Sequence, residues 1–330
     1  MVIPTYNRAS LLKEALVSVF NQDVENCRLE VIVVDDGSND DTSEVVKGFP
    51  LRYVRQANSG AGVARNRGIE MATGEWVAFL DSDDLWLPTK LSLQLAVAEA
   101  FPEYHAIHSE FKIAYEAGVV EESGLMEWAR MLKGTTEPWA DVYTARHSSQ
   151  EFGILSDGKS FDIYGGNVFR HQMVVGRGTC VTLLVKRAIL RDGIEFAPDY
   201  RTWEDYWFFC KLSEKHDLLF LDTPTAINRG HSGERLTGQN PILALQYHID
   251  VCKKIYMSST VRNRPSDLEI ADFVRSIRAD LFKHLVRQGR ILEALSFLHE
   301  QPFSLPLSLA ARTVFGAAVN KLVNRHRTIG

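Results

Sequence analysis

The chain opens with a short apolar run, Met1 to Ile3. After a polar turn come Leu11, Leu12, Ala15, Leu16, Val19 and Phe20, spaced as one face of a helix, with Ser10 ahead of them as a start signal. Leu29-Glu30-Val31-Ile32-Val33-Val34 is β-branched and nearly continuous, which predicts a strand buried on both faces, and it stops at Asp35-Asp36-Gly37-Ser38. The pattern then predicts a short helix over about 42–47 and a strand over 51–55. Gly60-Ala61-Gly62 forms a loop into a helix from about Val63 to Met71, and Glu75 to Leu80 forms a strand ending at Asp81-Ser82-Asp83-Asp84. Pro88 suits the first turn of a helix carrying Leu91, Leu95 and Ala98, and Tyr104 to Phe111 reads as a further strand. Strands alternating with helices predict an α/β fold with a doubly wound, mostly parallel sheet. In such sheets ligands sit outside the carboxyl ends of the strands, and both acidic clusters fall there.

Residues 112–175 lose this alternation and hold Trp128, Trp139 and several glycines; each tryptophan suits either a sugar-stacking surface or the core. Regularity returns with a strand over Cys180 to Val185, a helix from about Trp203 to Lys215 and a strand over Leu218 to Leu221. From Pro241 the pattern is helical, with breaks near Asn263-Arg264-Pro265, Gln288-Gly289 and Gln301-Pro302. The expected organisation is therefore 1–111, 112–235 and a helical extension over 236–330.

The chain's 330 residues, 45% hydrophobic, suffice for a large core, and a net charge of −5 argues against wholesale nucleic-acid binding. Cys27, Cys180, Cys210 and Cys252 are far apart and form no CxxC pair, so reduced and mostly buried thiols are expected. Met1-Val2-Ile3 runs straight into Pro4 without a signal peptide, and no uncharged apolar stretch reaches membrane-spanning length. The expected location is cytoplasmic.

Three acidic clusters carry candidate chemistry. Asp35-Asp36 stands at a strand end, where a carboxylate accepts the N3–H of uracil or ribose hydroxyls, although Asp-Gly-Ser is also good turn chemistry. Asp81-Ser82-Asp83-Asp84 concentrates charge that a hard cation such as Mg²⁺ or Mn²⁺ would relieve, with sites left over for diphosphate oxygens; a solvated turn is the alternative. Trp203-Glu204-Asp205-Tyr206-Trp207 sets two carboxylates among aromatics, which suits a base tuned by burial, or simply a helix N-terminus. Gly153 to Ser160 fits the P-loop pattern letter for letter. It lacks the strand before and the helix after that the pattern needs.

Together these segments resemble the family-2 glycosyltransferases of the GT-A fold. The matching pieces are Ile3-Pro4-Thr5-Tyr6-Asn7-Arg8, Val33 to Ser38, Asn58-Ser59-Gly60 with Ala64-Arg65-Asn66, Gly74 to Asp84, and Glu204-Asp205. The resemblance implies that Pro4, Thr5, Tyr6 and Asn7 line a nucleoside pocket, that Asp36 reads the base and favours uracil, and that Arg65 helps hold the donor. It places Asp81 near ribose and metal, and makes Asp83 the DxD ligand to Mn²⁺ or Mg²⁺, supported by Asp84. Glu204-Asp205 becomes the catalytic pair, with Asp205 as general base. Arg229 and His231 resemble a late Arg-x-His element that contacts diphosphate or metal.

The implied activity is inverting transfer from a nucleotide-sugar to a hydroxyl of a glycan or lipid-linked saccharide. Residues 1–111 would bind the donor and 112–235 the acceptor. After Glu300 the tail has Arg312, Lys321, Arg325 and Arg327 and no acidic residue. It is expected either to lie on a membrane surface as a basic amphipathic helix or to pack on the main domain. A sugar-1-phosphate nucleotidyltransferase would open with a glycine-rich signature, not Pro4-Thr5-Tyr6-Asn7. A non-catalytic nucleotide-sugar-binding protein would lack the Glu204-Asp205 pair.

Overall fold

The computed structural model describes residues 1–25, 27–115, 118, 120–133, 137–229 and 240–296, with the side chains of 131–133 excepted. The chain divides into two compact units, Met1–Gly233 and Glu234–Gly330.

The first unit begins with β1 (Val2–Thr5), α1 (Ala9–Phe20), β2 (Ile32–Asp35), α2 (Thr42–Val46), β3 (Arg52–Arg55) and α3 (Ala61–Met71). The three strands run parallel, with β2 between β1 and β3. All four residues of β2 are buried, as a continuous apolar run at the centre of a parallel sheet requires. Helix α1 buries Leu12, Ala15, Leu16 and Val19, the positions its periodicity marks.

Next come β4 (Trp76–Ala78), β5 (Leu85–Trp86), α4 (Lys90–Ala100), β6 (Ala106–Ala114), β7 (Val120–Glu121), α5 (Gly124–Lys133), α6 (Trp139–Val142) and β8 (Ala145–Ser148). They are followed by β9 (Asp162–Gly166), α7 (Phe169–Val175), β10 (Leu184–Lys186), α8 (Arg187–Leu190), α9 (Glu204–Lys215) and β11 (Leu218–Arg229). The second sheet has the order β4-β10-β6-β11-β9-β8, and a parallel bridge from Val2 to Phe79 links the first sheet to the end of β4. The class is α/β, with a helical region after the sheets, as the sequence pattern predicts. The parallel part is confined to β1–β4 and to the β6–β11 pair, while β10, β9, β8, β7 and β5 pair antiparallel. The sheet system as a whole is thus mixed.

Several elements differ from their sequence pattern. Cys180–Thr182 is a 3₁₀ turn, and only Leu184–Lys186 pairs as strand. Strand β11 runs on past the expected end at Leu221, through Pro224, to Arg229. Its register slips on both sides of Pro224, and such irregularities are where a strand tolerates proline. Gly153–Ser160 has neither a strand before it nor a helix after it: a 3₁₀ turn ends at Phe152, and β9 follows. Trp139 is buried against Phe220, and Trp128 packs edge-on to Phe111, so both tryptophans belong to the core.

The second unit contains α10 (Pro241–Ser258), α11 (Asp267–Arg287) and α12 (Ile291–Ser296). Asn240 caps α10 by accepting from the Leu243 N–H, and Ser266 with Glu269 forms a capping box on α11. No described helix is long and apolar enough to cross a membrane. Cys180, Cys210 and Cys252 are buried and Cys27 is exposed, all as free thiols.

Helix α3 lies directly on β1: a Cβ added at Gly68 would overlap the side chain of Val2, which is fully buried. Gly68→Ala is expected to destabilise the fold by about 1–3 kcal/mol despite its better helix propensity. Urea unfolding measures this, and a Gly68→Ala, Val2→Ala double variant should lose less than the sum of the two single losses.

Candidate active site

The turn after β1 is built around Asn7, held at φ 49°, a left-handed conformation that asparagine tolerates. Its N–H donates to Ser38 Oγ at 2.9 Å, and its side-chain oxygen accepts from the Asn39 N–H at 2.7 Å. The loops after β1 and β2 are thereby tied together. Pro4 and Thr5 are buried, Tyr6 is exposed, and Thr5 Oγ1 is buried with no hydrogen-bond partner among the described residues.

The two aspartates at the end of β2 divide their tasks. Asp35 is fully engaged, accepting from the Ser38 N–H at 2.7 Å and from the Tyr53 hydroxyl at 2.6 Å. Asp36 reaches across to the loop before α3. It accepts from the Gln56 amide at 2.9 Å, the Ser59 N–H at 2.8 Å and the Gly60 N–H at 2.7 Å. Gly60 has φ 99°, which a side chain rarely adopts, and this lets the loop fold back onto the carboxylate.

Arg65, on the buried face of α3, joins two of the acidic clusters. One guanidinium nitrogen lies 2.5 Å from Asp81, the other 2.8 Å from Glu204. Burial alone would lower the Arg65 pKa, but the charges of Asp81 and Glu204 outweigh it and raise it well above the usual value. Burial pushes Glu204 up, to about 7, and raises Asp205; Arg65 pulls both back down. Asp205 accepts from the Tyr206 N–H at 2.7 Å through Oδ1, and its side chain is partly exposed.

The segment leading into α9 is held to α3 at several points. Asn66 clasps the backbone of Phe196, donating to its carbonyl at 2.7 Å and accepting from its N–H at 2.9 Å. Arg201 donates to the Asn58 side chain at 2.6 Å. Gly62 leaves room for Glu204, whose Cγ would stand 3.0 Å from an added Cβ. Trp203, at φ 68°, turns the chain into the helix. The acidic turn Asp81–Asp84 is fixed from the far side. Asp84 is buried and accepts from the Arg229 N–H at 2.9 Å and the Asn228 amide at 3.0 Å. Arg229 also donates through Nε to the Asp83 carbonyl at 2.6 Å and pairs with Glu14. Burial, with Asp83 and Asp81 nearby, raises the Asp84 pKa well above the usual carboxylate range. Asp83 pairs with Arg8.

Residues 1–154 match the family model described as Glycosyl transferase family 2. The chain's relatives include an uncharacterized glycosyltransferase of Rickettsia bellii, 44% identical over 30% of this chain and 15% of that protein. Another is the GalNAc(5)-diNAcBac-PP-undecaprenol beta-1,3-glucosyltransferase of Campylobacter jejuni, 40% identical over 28% of this chain and 31% of that protein. The chain thus spans less than a third of the length of these relatives. Among solved structures, Staphylococcus aureus TarS 1–349 in complex with UDP-GlcNAc superposes with a TM-score of 0.59 at 16% identity, covering 98% of this chain and 91% of that one. At that identity the likeness is one of fold.

Within the matched residues, Thr5 ends β1, Asn7, Asp36 and Asp81 stand on the loops after β1, β2 and β4, and Arg65 stands on α3. Arg65 brings Asp81 and the Glu204-Asp205 pair together. Asp84 does not join Asp83: it faces β11 and holds Asn228 and Arg229. His231 lies outside the described residues. Arg8, Asn66 and Asn228 also hold the site in place. Arg8 and Asn66 stand within matching segments, but their partners, Asp83 and Phe196, lie 75 and 130 positions away.

Asp84→Ala should strand the Asn228 amide and the Arg229 N–H, each at about 1–3 kcal/mol. Asp83→Ala, at a partly exposed position, should cost under about 1 kcal/mol. Thermal unfolding of the two variants separates the buried carboxylate from the partly exposed one.

Proposed function

We propose that the protein is an inverting glycosyltransferase that takes a sugar from a nucleotide-sugar, favouring a UDP-sugar, and passes it to a hydroxyl of a glycan or lipid-linked saccharide. The observation that carries this reading is the Arg65 bridge, which sets the Glu204-Asp205 pair against the acidic turn at Asp81. The fold shared with the TarS–UDP-GlcNAc complex supports a nucleotide-sugar donor, and the undecaprenol-linked substrate in the name of the Campylobacter relative supports a lipid-linked acceptor. Residues 1–111 would hold the donor and 112–235 the acceptor.

Pro4, Thr5, Tyr6, Asn7 and Asp36 would line the nucleoside pocket. Asp36 uses three of about four acceptor directions on the protein, leaving one for the N3–H of uracil. Thr5 Oγ1 offers a further buried polar atom. Asp81 and Asp83 are partly exposed hard oxygen donors, with side-chain exposures of 34% and 23%. No group of three or more such side chains is gathered among the described residues. That set fits Mg²⁺ or Mn²⁺ bound together with diphosphate oxygens, for which a protein supplies only one or two carboxylates. His231 would complete it from outside the described residues. A divalent cation held there would offset the charge that builds on the departing diphosphate.

Asp205 keeps Oδ2 without a partner among the described residues, while Oδ1 is fixed by the Tyr206 N–H. Oδ2 takes the proton of the acceptor hydroxyl, whose oxygen bonds to the anomeric carbon. The bond from that carbon to the diphosphate oxygen breaks, its electron pair leaves with the nucleotide, and the configuration inverts. Glu204, bound to Arg65, positions the helix start beside it. The basic tail after Glu300, also outside the described residues, would add a peripheral contact with the inner face of a membrane.

Asp205→Asn should keep donor affinity and lose transfer by at least ~10²-fold in a donor-consumption assay, and a product of retained configuration would refute the mechanism. Asp83→Ala should abolish metal-dependent donor binding by calorimetry. Activity should rise with pH as Asp205 loses its proton. Because burial raises its pKa and Arg65 lowers it, Arg65→Met should move that acid limb to higher pH; an unmoved limb contradicts the assignment.

A further inference from the structure

Each carboxylate of the acidic turn is met by a different part of the fold. Asp81 faces Arg65 on α3, Asp84 is spent on Asn228 and the Arg229 N–H, and Asp83 accepts from a guanidinium nitrogen of Arg8. The Arg8 and Asp83 side chains are 20% and 23% exposed, so this ion pair stands at the edge of the site and not in the core.

The backbone is fixed on both sides of the pair. Arg8 directly precedes α1, and its carbonyl accepts from the Leu12 N–H at 2.8 Å. Its neighbours are held too: the Asn7 N–H is bound to Ser38 Oγ, and the Ala9 N–H donates to the Asp40 carboxylate at 2.9 Å. Across the pair, the Asp83 carbonyl accepts from Arg229 Nε at 2.6 Å. This leaves the Arg8 side chain as a long arm on a fixed pivot. A hard cation binds a carboxylate oxygen directly, so a guanidinium on that carboxylate competes with it, and the two positive charges repel at short range. Arg8 also follows immediately on Pro4 to Asn7. An arm freed from Asp83 therefore stays beside the segment read above as the nucleoside pocket, where diphosphate oxygens offer a guanidinium fork its natural partner.

We propose that Arg8 is a positioning residue that holds the place of the divalent cation on Asp83 in the donor-free protein and passes to the donor diphosphate when the cation binds. Cation and nucleoside diphosphate then favour each other's binding, because each gives one member of the broken pair a new partner. The proposal rests on Asp83 as metal ligand, as read above; the exchange at Arg8 is the new element.

The test is Mn²⁺ binding to the full chain, read from the electron paramagnetic resonance signal of free Mn²⁺, with and without UDP. Without UDP, Arg8→Met should bind Mn²⁺ about fivefold or more tightly than the unsubstituted protein. The factor by which UDP tightens Mn²⁺ binding should shrink. Arg8→Lys keeps the charge but loses the fork, so it should fall between the two, and it carries the test should the methionine variant unfold. Removing a merely structural ion pair would lower the melting temperature without tightening Mn²⁺. Mn²⁺ affinity that is equal or weaker in Arg8→Met overturns the proposal, as does an unchanged effect of UDP. Asp83→Ala distinguishes that failure from failure of the metal assignment. Loss of Mn²⁺ binding in Asp83→Ala keeps Asp83 as ligand and dismisses only Arg8, whereas Mn²⁺ binding unchanged in both variants removes the two together.

Discussion

The arrangement of the first unit turns on one buried guanidinium. Arg65 holds Asp81 and Glu204 together, and these residues come from a loop after β4 and from the start of α9, far apart in sequence. A buried carboxylate without a counter-charge costs several kcal/mol, so Glu204 is tolerable in its buried position because the cation meets it there, while Asp81 completes the pair from a partly exposed turn. The same cation sets the electrostatics of the neighbourhood. It opposes the burial that raises Glu204 and Asp205, and so governs the pH at which the pair is ionised.

The remaining contacts serve that geometry. Asn66 and Arg201 fasten the segment before α9 to α3 and to the loop at Asn58, and Gly62 lets the two helices approach closely. Asp36 anchors the same loop from the other side through the amides of Ser59 and Gly60. Asp84 does for the acidic turn what Asp36 does for the loop. Its carboxylate is spent on β11, which leaves Asp81 and Asp83 as the partly exposed members of the cluster. Neighbouring carboxylates in one motif thus have opposite fates, one buried in hydrogen bonds and the others turned toward solvent and arginines.

The second unit follows a simpler logic of capped helices, with Asn240 and Ser266 satisfying N-terminal amides. Its positive charge contrasts with the negative first unit, where the acidic clusters are concentrated.

The sequence by itself determined the α/β rhythm of the first hundred residues, the helical character after Pro241, and the positions of the acidic clusters at strand ends. These are local properties: apolar periodicity and turn chemistry are written within a dozen residues. It also marked Arg65 and Glu204-Asp205, through motifs that resemble a known family. Only the tertiary structure decided what each carboxylate faces. Nothing near Asp84 in sequence tells that it meets Asn228 and Arg229, and nothing near Arg8 points to Asp83, because partners brought by different strands leave no local signal. The antiparallel strands after residue 111 were illegible for the same reason. Strand direction is set by which neighbour completes the sheet's hydrogen bonds, and β11 continues past Pro224 because β6 and β5 are there to pair with it.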